Sequence, residues 1–124
     1  MVWEGVIIEE SLESKDLLKL AKTVKTKKST LESEEEKGFL HFHHAEVSDG
    51  KKEEFVEEAK NAIKQGWYLH ICKDGKMIVV FKGKSFEFTK LQKDKIEQAK
   101  KYGMSIGIIE EQVQFQELID NPYG

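Results

Sequence analysis

The feature that most constrains the fold is an Asp74-Gly75 dipeptide flanked by two strongly apolar runs, residues 67–73 and 76–82. Asp-Gly favours the two-residue turn of a β-hairpin, because both turn positions need positive φ. We call residues 67–82 the central hairpin. A hairpin buried on one face alternates apolar with polar residues, but this one is apolar on both faces. The pairs counted outward from the turn are Cys72–Met77, Ile71–Ile78, His70–Val79, Leu69–Val80, Tyr68–Phe81 and Trp67–Lys82.

The second apolar face of the central hairpin needs a cover, and the sequence leaves three sources open. The C-terminal tail and the first helix could wrap over it. A second copy of the chain could pack against it in a homodimer. A small-molecule ligand could also occupy a cleft there. Each source buries the same side chains, so periodicity does not choose among them.

The remaining segments predict an α+β fold with a mainly antiparallel sheet of five or six strands and about three helices. The element order is β-α-β-β-α-β-β-β-α, with the helices on one side of the sheet. We expect a single compact domain over residues 1–124, with residues 108–124 forming a tail that packs on it. Strands are predicted at 2–8, 23–32, 39–47, 67–73, 76–82 and 84–88, a turn at 34–38, and helices from Ser11 or Ser14 to Ala21, over 51–65 and from Thr89 to Ile106.

Charge and composition exclude several classes of function. All twenty basic residues are lysine, so no arginine finger, arginine clamp or guanine-reading arginine exists in the sequence. The net charge of −3 is not that of a dedicated nucleic-acid binder, and no apolar run is long enough for a membrane helix. Cys72 is the only cysteine and forms no internal disulfide, which favours a cytoplasmic location.

Histidines are the residues most suggestive of chemistry. Strand alternation places His41 and His43 on one face, with His44 on the other, and likewise places His70 and Cys72 together. If the two strands were neighbours with matching faces, His41, His43, His70 and Cys72 would converge as a zinc-type ligand set. Two other interpretations stay open: one histidine acts as a general acid or base, or all are ordinary hydrogen-bonded strand residues.

The leading functional hypothesis is a non-enzymatic binding or protein-interaction module, with a homodimer through the sheet as one version. Trp and Tyr offer large apolar surface with a polar end, as contact sites prefer. The metal-binding protein or small enzyme that uses the histidine set is the alternative, and the sequence does not decide whether the chain is an enzyme. Single-stranded RNA binding along Lys22, Lys25, Lys27 and Lys28 is a weaker alternative. No cofactor motif is recognised, and no cofactor is expected. The expected binding residues are Trp67, Tyr68, His70, His41 and His43.

Three segments carry a resemblance. They are W-E-G-V-I-I-E-E-S-L near the start, K-Q-G-W-Y-L-H-I-C-K-D-G-K-M-I-V-V-F in the central hairpin, and S-I-G-I-I-E-E-Q before the tail. The chain resembles a set of small uncharacterised prokaryotic proteins with no assigned activity. The resemblance implies a stand-alone domain and carries over no catalytic residues.

Overall fold

Six antiparallel strands form one open sheet in the computed structural model, which describes residues 2–30 and 35–123. The α+β prediction is confirmed, and the element order is close to the predicted one. The strand order across the sheet is β2-β3-β1-β4-β5-β6, so the N-terminal strand lies near the centre. The strands are β1 (Val2–Ile8), β2 (Lys22–Ser29), β3 (Leu40–Ser48), β4 (Leu69–Lys73), β5 (Lys76–Phe81) and β6 (Lys84–Thr89).

The central hairpin has the predicted turn and register. Asp74 has a φ of 51° and Gly75 a φ of 76°, so both turn residues have the positive φ that the tight hairpin turn requires. Cys72 lies opposite Met77, as counted from the sequence. The pairs Ile71–Ile78, His70–Val79 and Leu69–Val80 are also confirmed. Strand β4 begins at Leu69, so the predicted pairs of Tyr68 and Trp67 are not part of the ladder.

The helical segments follow the predicted positions, but the helices predicted over 51–65 and from Thr89 to Ile106 are both shorter. They are α1 (Lys52–Ala62), α2 (Lys93–Ser105) and α3 (Phe115–Asp120), with a 3₁₀ helix at Lys15–Leu20 where the first helix was predicted. Ser14 caps that 3₁₀ helix by accepting the Asp16 backbone N–H at 3.4 Å. Helix α1 ends before the predicted Gln65, because Ile63 is extended and forms a bridge with Leu12.

Helices lie on both faces of the sheet, which corrects the expectation that they lie on one side. Alternate residues of the central hairpin belong to two separate hydrophobic clusters. Ile71 and Val80 pack with α1 on one face, whereas Val79 and Phe81 pack with α2 and the tail on the other. The chain itself therefore covers both apolar faces of the central hairpin.

The tail is directed back over the sheet by the end of α2. Gly107 has a φ of 98°, which glycine adopts without strain, and the Ile108 N–H donates to the Gly103 carbonyl at 3.1 Å. The tail then runs through Val113 and Phe115, both fully buried. The buried tail residues Ile108, Val113, Phe115 and Ile119 join the hydrophobic cluster on the second face of the sheet.

The charged strand β2 forms one edge of the sheet, and β6 forms the other. The residues of β2 are exposed almost throughout, as expected of a lysine-rich edge strand. Residues 31–34 of the predicted strand and turn lie outside the described residues, while Glu35–Lys37 forms a 3₁₀ helix. None of the helices in residues 2–30 and 35–123 is long and apolar enough to cross a membrane.

Candidate ligand cleft

A cleft of about 360 Å³ lies between the tail and the sheet face that carries His70. Its floor comes from strands β1 and β3, and its walls come from the segment before β4 and from the tail. Three of the five predicted binding residues, Trp67, Tyr68 and His70, line it. Val6, Ile8, Phe42, Leu118 and Tyr123 supply most of the remaining apolar surface.

His70 is buried in the wall of the cleft. Its side chain reaches the tail, where Nε2 lies 2.7 Å from the Pro122 carbonyl oxygen, so Nε2 carries the proton and donates. Burial lowers the pKa of His70 to about 4, against the smaller opposing effect of that hydrogen bond. His70 is therefore a neutral imidazole at neutral pH and fastens the tail to β4.

Tyr68 fastens the tail at a second point. Its hydroxyl donates to the Gln112 carbonyl oxygen, and its ring meets the edge of Phe115 at a centroid distance of 5.1 Å. Removal from water raises the pKa of Tyr68 above its usual value. The hydroxyl is therefore a neutral donor, already engaged, and the ring is the part of Tyr68 that faces a ligand.

Trp67 and Lys37 meet at one end of the cleft. The Lys37 ammonium group lies 4.3 Å from the centre of the Trp67 ring, a cation–π distance. Both residues line the cleft and both are partly accessible. The indole thus presents a flat apolar surface beside a positive charge.

Tyr123 of the tail lines the cleft, and its ring contacts His44 of strand β3. Their rings stack at 4.6 Å with an angle of 9° between the planes. Burial, and then Lys25 and Lys27, lower the pKa of His44. The two lysines on strand β2 are positive charges beside His44. Burial, and then Glu4 and Glu46, raise the pKa of Tyr123, so this border of the cleft carries both signs of charge.

The four residues proposed as a zinc set are not brought together. His43 is paired with Ile7, whereas the neighbouring Val6 is paired with both His44 and His70. Alternation along β1 therefore puts His41 and His43 on the face opposite His70 and Cys72. The expectation of matching faces was wrong, and His41 and His43 lie outside the cleft.

Cys72 is an inert thiol in this arrangement. It is 2% exposed, and its Sγ–H points to the Leu118 carbonyl at 3.5 Å. Burial, and then the charge of Glu4, raise the pKa of Cys72 to about 12. The thiolate needed for nucleophilic attack or metal binding is therefore disfavoured.

His41 and His43 have carboxylate partners on their own face. His41 Nδ1 lies 2.6 Å from Glu10 Oε2, and His43 Nε2 lies 3.0 Å from Glu9 Oε1. These glutamates belong to the short 3₁₀ turn that follows β1. The two histidines and the cleft are therefore separate places in the molecule.

Sequence reasoning missed Phe42, Tyr123 and Val6 as cleft residues. Strand alternation could have indicated Phe42, because it places Phe42 and His44 on the face opposite His41 and His43. Nothing in the local sequence indicates that Tyr123 returns to stack on His44. The contact between Tyr123 and His44 joins residues 79 positions apart, and sequence periodicity does not predict such a contact.

The cleft can bind a ligand by apolar contact and by charge at its border. Its buried polar groups, His70 and Tyr68, are neutral and already donate to backbone carbonyls. Comparisons with protein-family models, curated proteins and solved structures found no match.

Proposed function

We propose that this protein is a small binding module whose cleft takes an organic anion with a flat, apolar body. The observation that carries the proposal is the cleft itself. Its volume of about 360 Å³ falls in the range of small-molecule sites, which are mostly apolar with a few placed polar groups. The rings of Trp67, Tyr68 and Phe42 supply flat surfaces for such a body.

The charge distribution around the cleft supports a negative group on the ligand. Lys27 lies opposite the cleft residue Phe42 in the register of β2 and β3, and Lys25 lies opposite His44. Lys37 adds a third ammonium group at the cleft. Glu111 and Glu117 on the tail side orient the ligand, because a negative group is repelled there and directed toward β2.

The test uses the uniformly ¹⁵N-labelled chain and a panel of aromatic carboxylates, each paired with its neutral amide. We expect the carboxylates to shift the backbone amide signals of residues 67–70 and 118–123. Val6 lines the cleft, so Val6→Trp should fill it and abolish these shifts. Leu91→Trp is the matched control, since Leu91 is 84% exposed and does not line the cleft.

A separate substitution tests the predicted preference for an anion. Lys27→Gln should weaken carboxylate binding about two- to fivefold, as removal of one exposed charge usually does, and leave amide binding unchanged. Equal affinity for each carboxylate and its amide would disprove the anion preference. Absence of shifts with the whole panel, or shifts that persist in Val6→Trp, would disprove the cleft.

The other expected partners now have weaker support. Dimerisation was inferred from an uncovered apolar hairpin, and the chain covers that hairpin itself, so the homodimer stays a prediction for light scattering to check. A short oligouridine strand is added to the panel as the RNA arm. Tighter binding of oligouridine than of any carboxylate would favour RNA over the small-ligand proposal.

A further inference from the structure

A second cluster of chemistry-bearing side chains lies on the other face of the sheet, away from the cleft. Strand β3 presents His41 and His43 on one face, two residues apart. The 3₁₀ turn after β1 brings Glu9 and Glu10 against them. Two chain segments that are 31 residues apart therefore place imidazole and carboxylate groups together.

We propose that Glu9, Glu10 and His41 form a site for a divalent transition-metal ion such as zinc, with His43 as a positioning residue. One ligand atom from each of the three lies within 4.8 Å of the others. The proposal does not depend on the cleft or on its ligand. It also differs from the set expected from the sequence, because the carboxylates replace His70 and Cys72.

The distances within the cluster suit a common ion. Two ligand atoms each about 2.0 Å from a tetrahedral zinc ion are about 3.3 Å apart. The present separation of His41 Nδ1 and Glu10 Oε2 is 2.6 Å, the length of a hydrogen bond. Metal binding would replace that proton and open this pair by under 1 Å. Ligand atoms that are up to 4.8 Å apart would close by about 1.5 Å at most, which side-chain rotation supplies.

His43 holds the Glu9 carboxylate in place. The Thr26 hydroxyl lies 2.9 Å from His43 Nδ1 and donates to it, which leaves Nε2–H to donate to Glu9 at 3.0 Å. Carboxylates that bind metals are commonly hydrogen-bonded in this way by a neighbouring group. The His43 side chain is 11% exposed, so its orientation is fixed by packing.

The donor types favour a transition metal over magnesium or calcium. Imidazole nitrogen suits zinc, copper, nickel and iron, whereas magnesium and calcium take oxygen ligands. Lys15 Nζ, 3.3 Å from Glu9 Oε2, is on an exposed side chain that an entering ion can displace.

Access to the cluster is open. The side chains of His41 and Glu10 are 44% and 34% exposed, so an ion can enter and keep water in its remaining positions. That exposure favours an exchangeable ion over one locked into the fold. We therefore expect the protein to fold without the metal and to gain stability when it binds.

The experiment is zinc titration by calorimetry on the full chain, purified without a histidine tag and treated with chelator. We expect one zinc ion per chain and a rise in the thermal midpoint with zinc concentration. Glu10→Gln and His41→Gln should each weaken zinc binding more than tenfold, and His43→Gln tenfold to 100-fold. Magnesium and calcium should give no titration.

His44→Gln is the matched control, because His44 is on the same strand but faces the cleft. Zinc affinity should be unchanged in this variant. Equal affinity in Glu10→Gln and the unmodified chain would overturn the proposal, as would a loss confined to His44→Gln. If a variant fails to fold, ring ¹⁵N spectra of the unmodified chain decide: zinc must shift the nitrogens of His41, and shifts only at His44 or His70 disprove the site.

Discussion

At the scale of single residues, polar side chains under the tail hold it to the sheet by hydrogen bonds. Tyr68, His70 and Cys72 each direct a hydrogen to a backbone carbonyl of the tail. Among the described residues, no buried side-chain nitrogen or oxygen lacks a hydrogen-bond partner. The polar groups of this face therefore stabilise the tail, and burial keeps each of them uncharged. The three acceptors are the carbonyls of Gln112, Pro122 and Leu118.

His70 should make stability depend on pH. Its pKa is about 4 in the folded chain and ordinarily 6.5, so the unfolded chain takes up a proton in this interval and the folded chain does not. The free energy of unfolding should fall as pH falls from 6.5 to 4, by about 3 kcal/mol at most. Urea unfolding across that range measures it. The same curves for His70→Gln should be flatter, and parallel curves for the two proteins would refute this account.

Gly5 should tolerate no side chain. A Cβ atom built on Gly5 lies 1.8 Å from the His70 carbonyl oxygen, so alanine would force β1 and β4 apart. We expect Gly5→Ala to lower the free energy of unfolding by about 3 kcal/mol or more, measured by urea denaturation.

The control for Gly5 is Gly50→Ala, because a Cβ on Gly50 meets nothing within 4 Å. Stability should be unchanged in this variant or higher by up to about 1 kcal/mol. Similar losses in the two alanine variants would show that close strand approach is not what Gly5 provides.

At the scale of elements, the short helix α3 completes the second layer of the domain. Six residues are too few for a stable isolated helix, so α3 depends on what it packs against. Phe115 and Ile119 are its buried residues, and they join the cluster that contains Phe88 and Val79. The tail and the sheet therefore stabilise one another, and the cleft wall exists only while that packing holds.

Phe115→Ala tests this dependence. Phe115 is fully buried, so its removal should cost about 3–5 kcal/mol of unfolding free energy. Phe115→Leu should cost only about 1 kcal/mol and keeps the fold measurable. Hydrogen exchange should show the first loss of protection at residues 108–123.

Phe39→Ala is the matched control, because Phe39 is 66% exposed. Its effect should stay within about 0.5 kcal/mol. A loss of protection spread evenly over the sheet in Phe115→Ala would contradict the view that the tail opens first.

At the scale of the whole molecule, sequence pattern predicted what is local. The Asp74-Gly75 turn determined the register of the central hairpin, and β-branched runs located the strands. Chain order did not reveal that the helices would divide between two faces. Helix α2 already packs on the second face through Ile96 and Ala99, and the tail after Gly107 joins it there, a non-local result of packing. The two apolar faces of the central hairpin indicated that each face needs a packing partner, but not which segments would pack there.

For the candidate sites too, sequence pattern predicted local features but not non-local contacts. Trp67, Tyr68 and His70 were predicted as binding residues and do line one cleft. The convergence of His41 with His70 failed because strand adjacency and facing are set by pairing partners, which a single sequence does not display. Glu9 and Glu10 follow the predicted strand 2–8 and were given no role, so their contact with His41 and His43 was not anticipated.

The doubly buried central hairpin has a consequence for how its alignment is chosen during folding. In most hairpins a slip by one residue moves apolar side chains into water, and that cost selects the correct alignment. Here a slip would only exchange Ile78 and Val80 with Met77 and Val79, apolar for apolar. The free energy of apolar burial is therefore nearly the same in the correct and the slipped alignment. The Asp74-Gly75 turn, the glycine-sized gap at Gly5 and the single polar contact of His70 must discriminate between alignments that burial alone treats as equivalent.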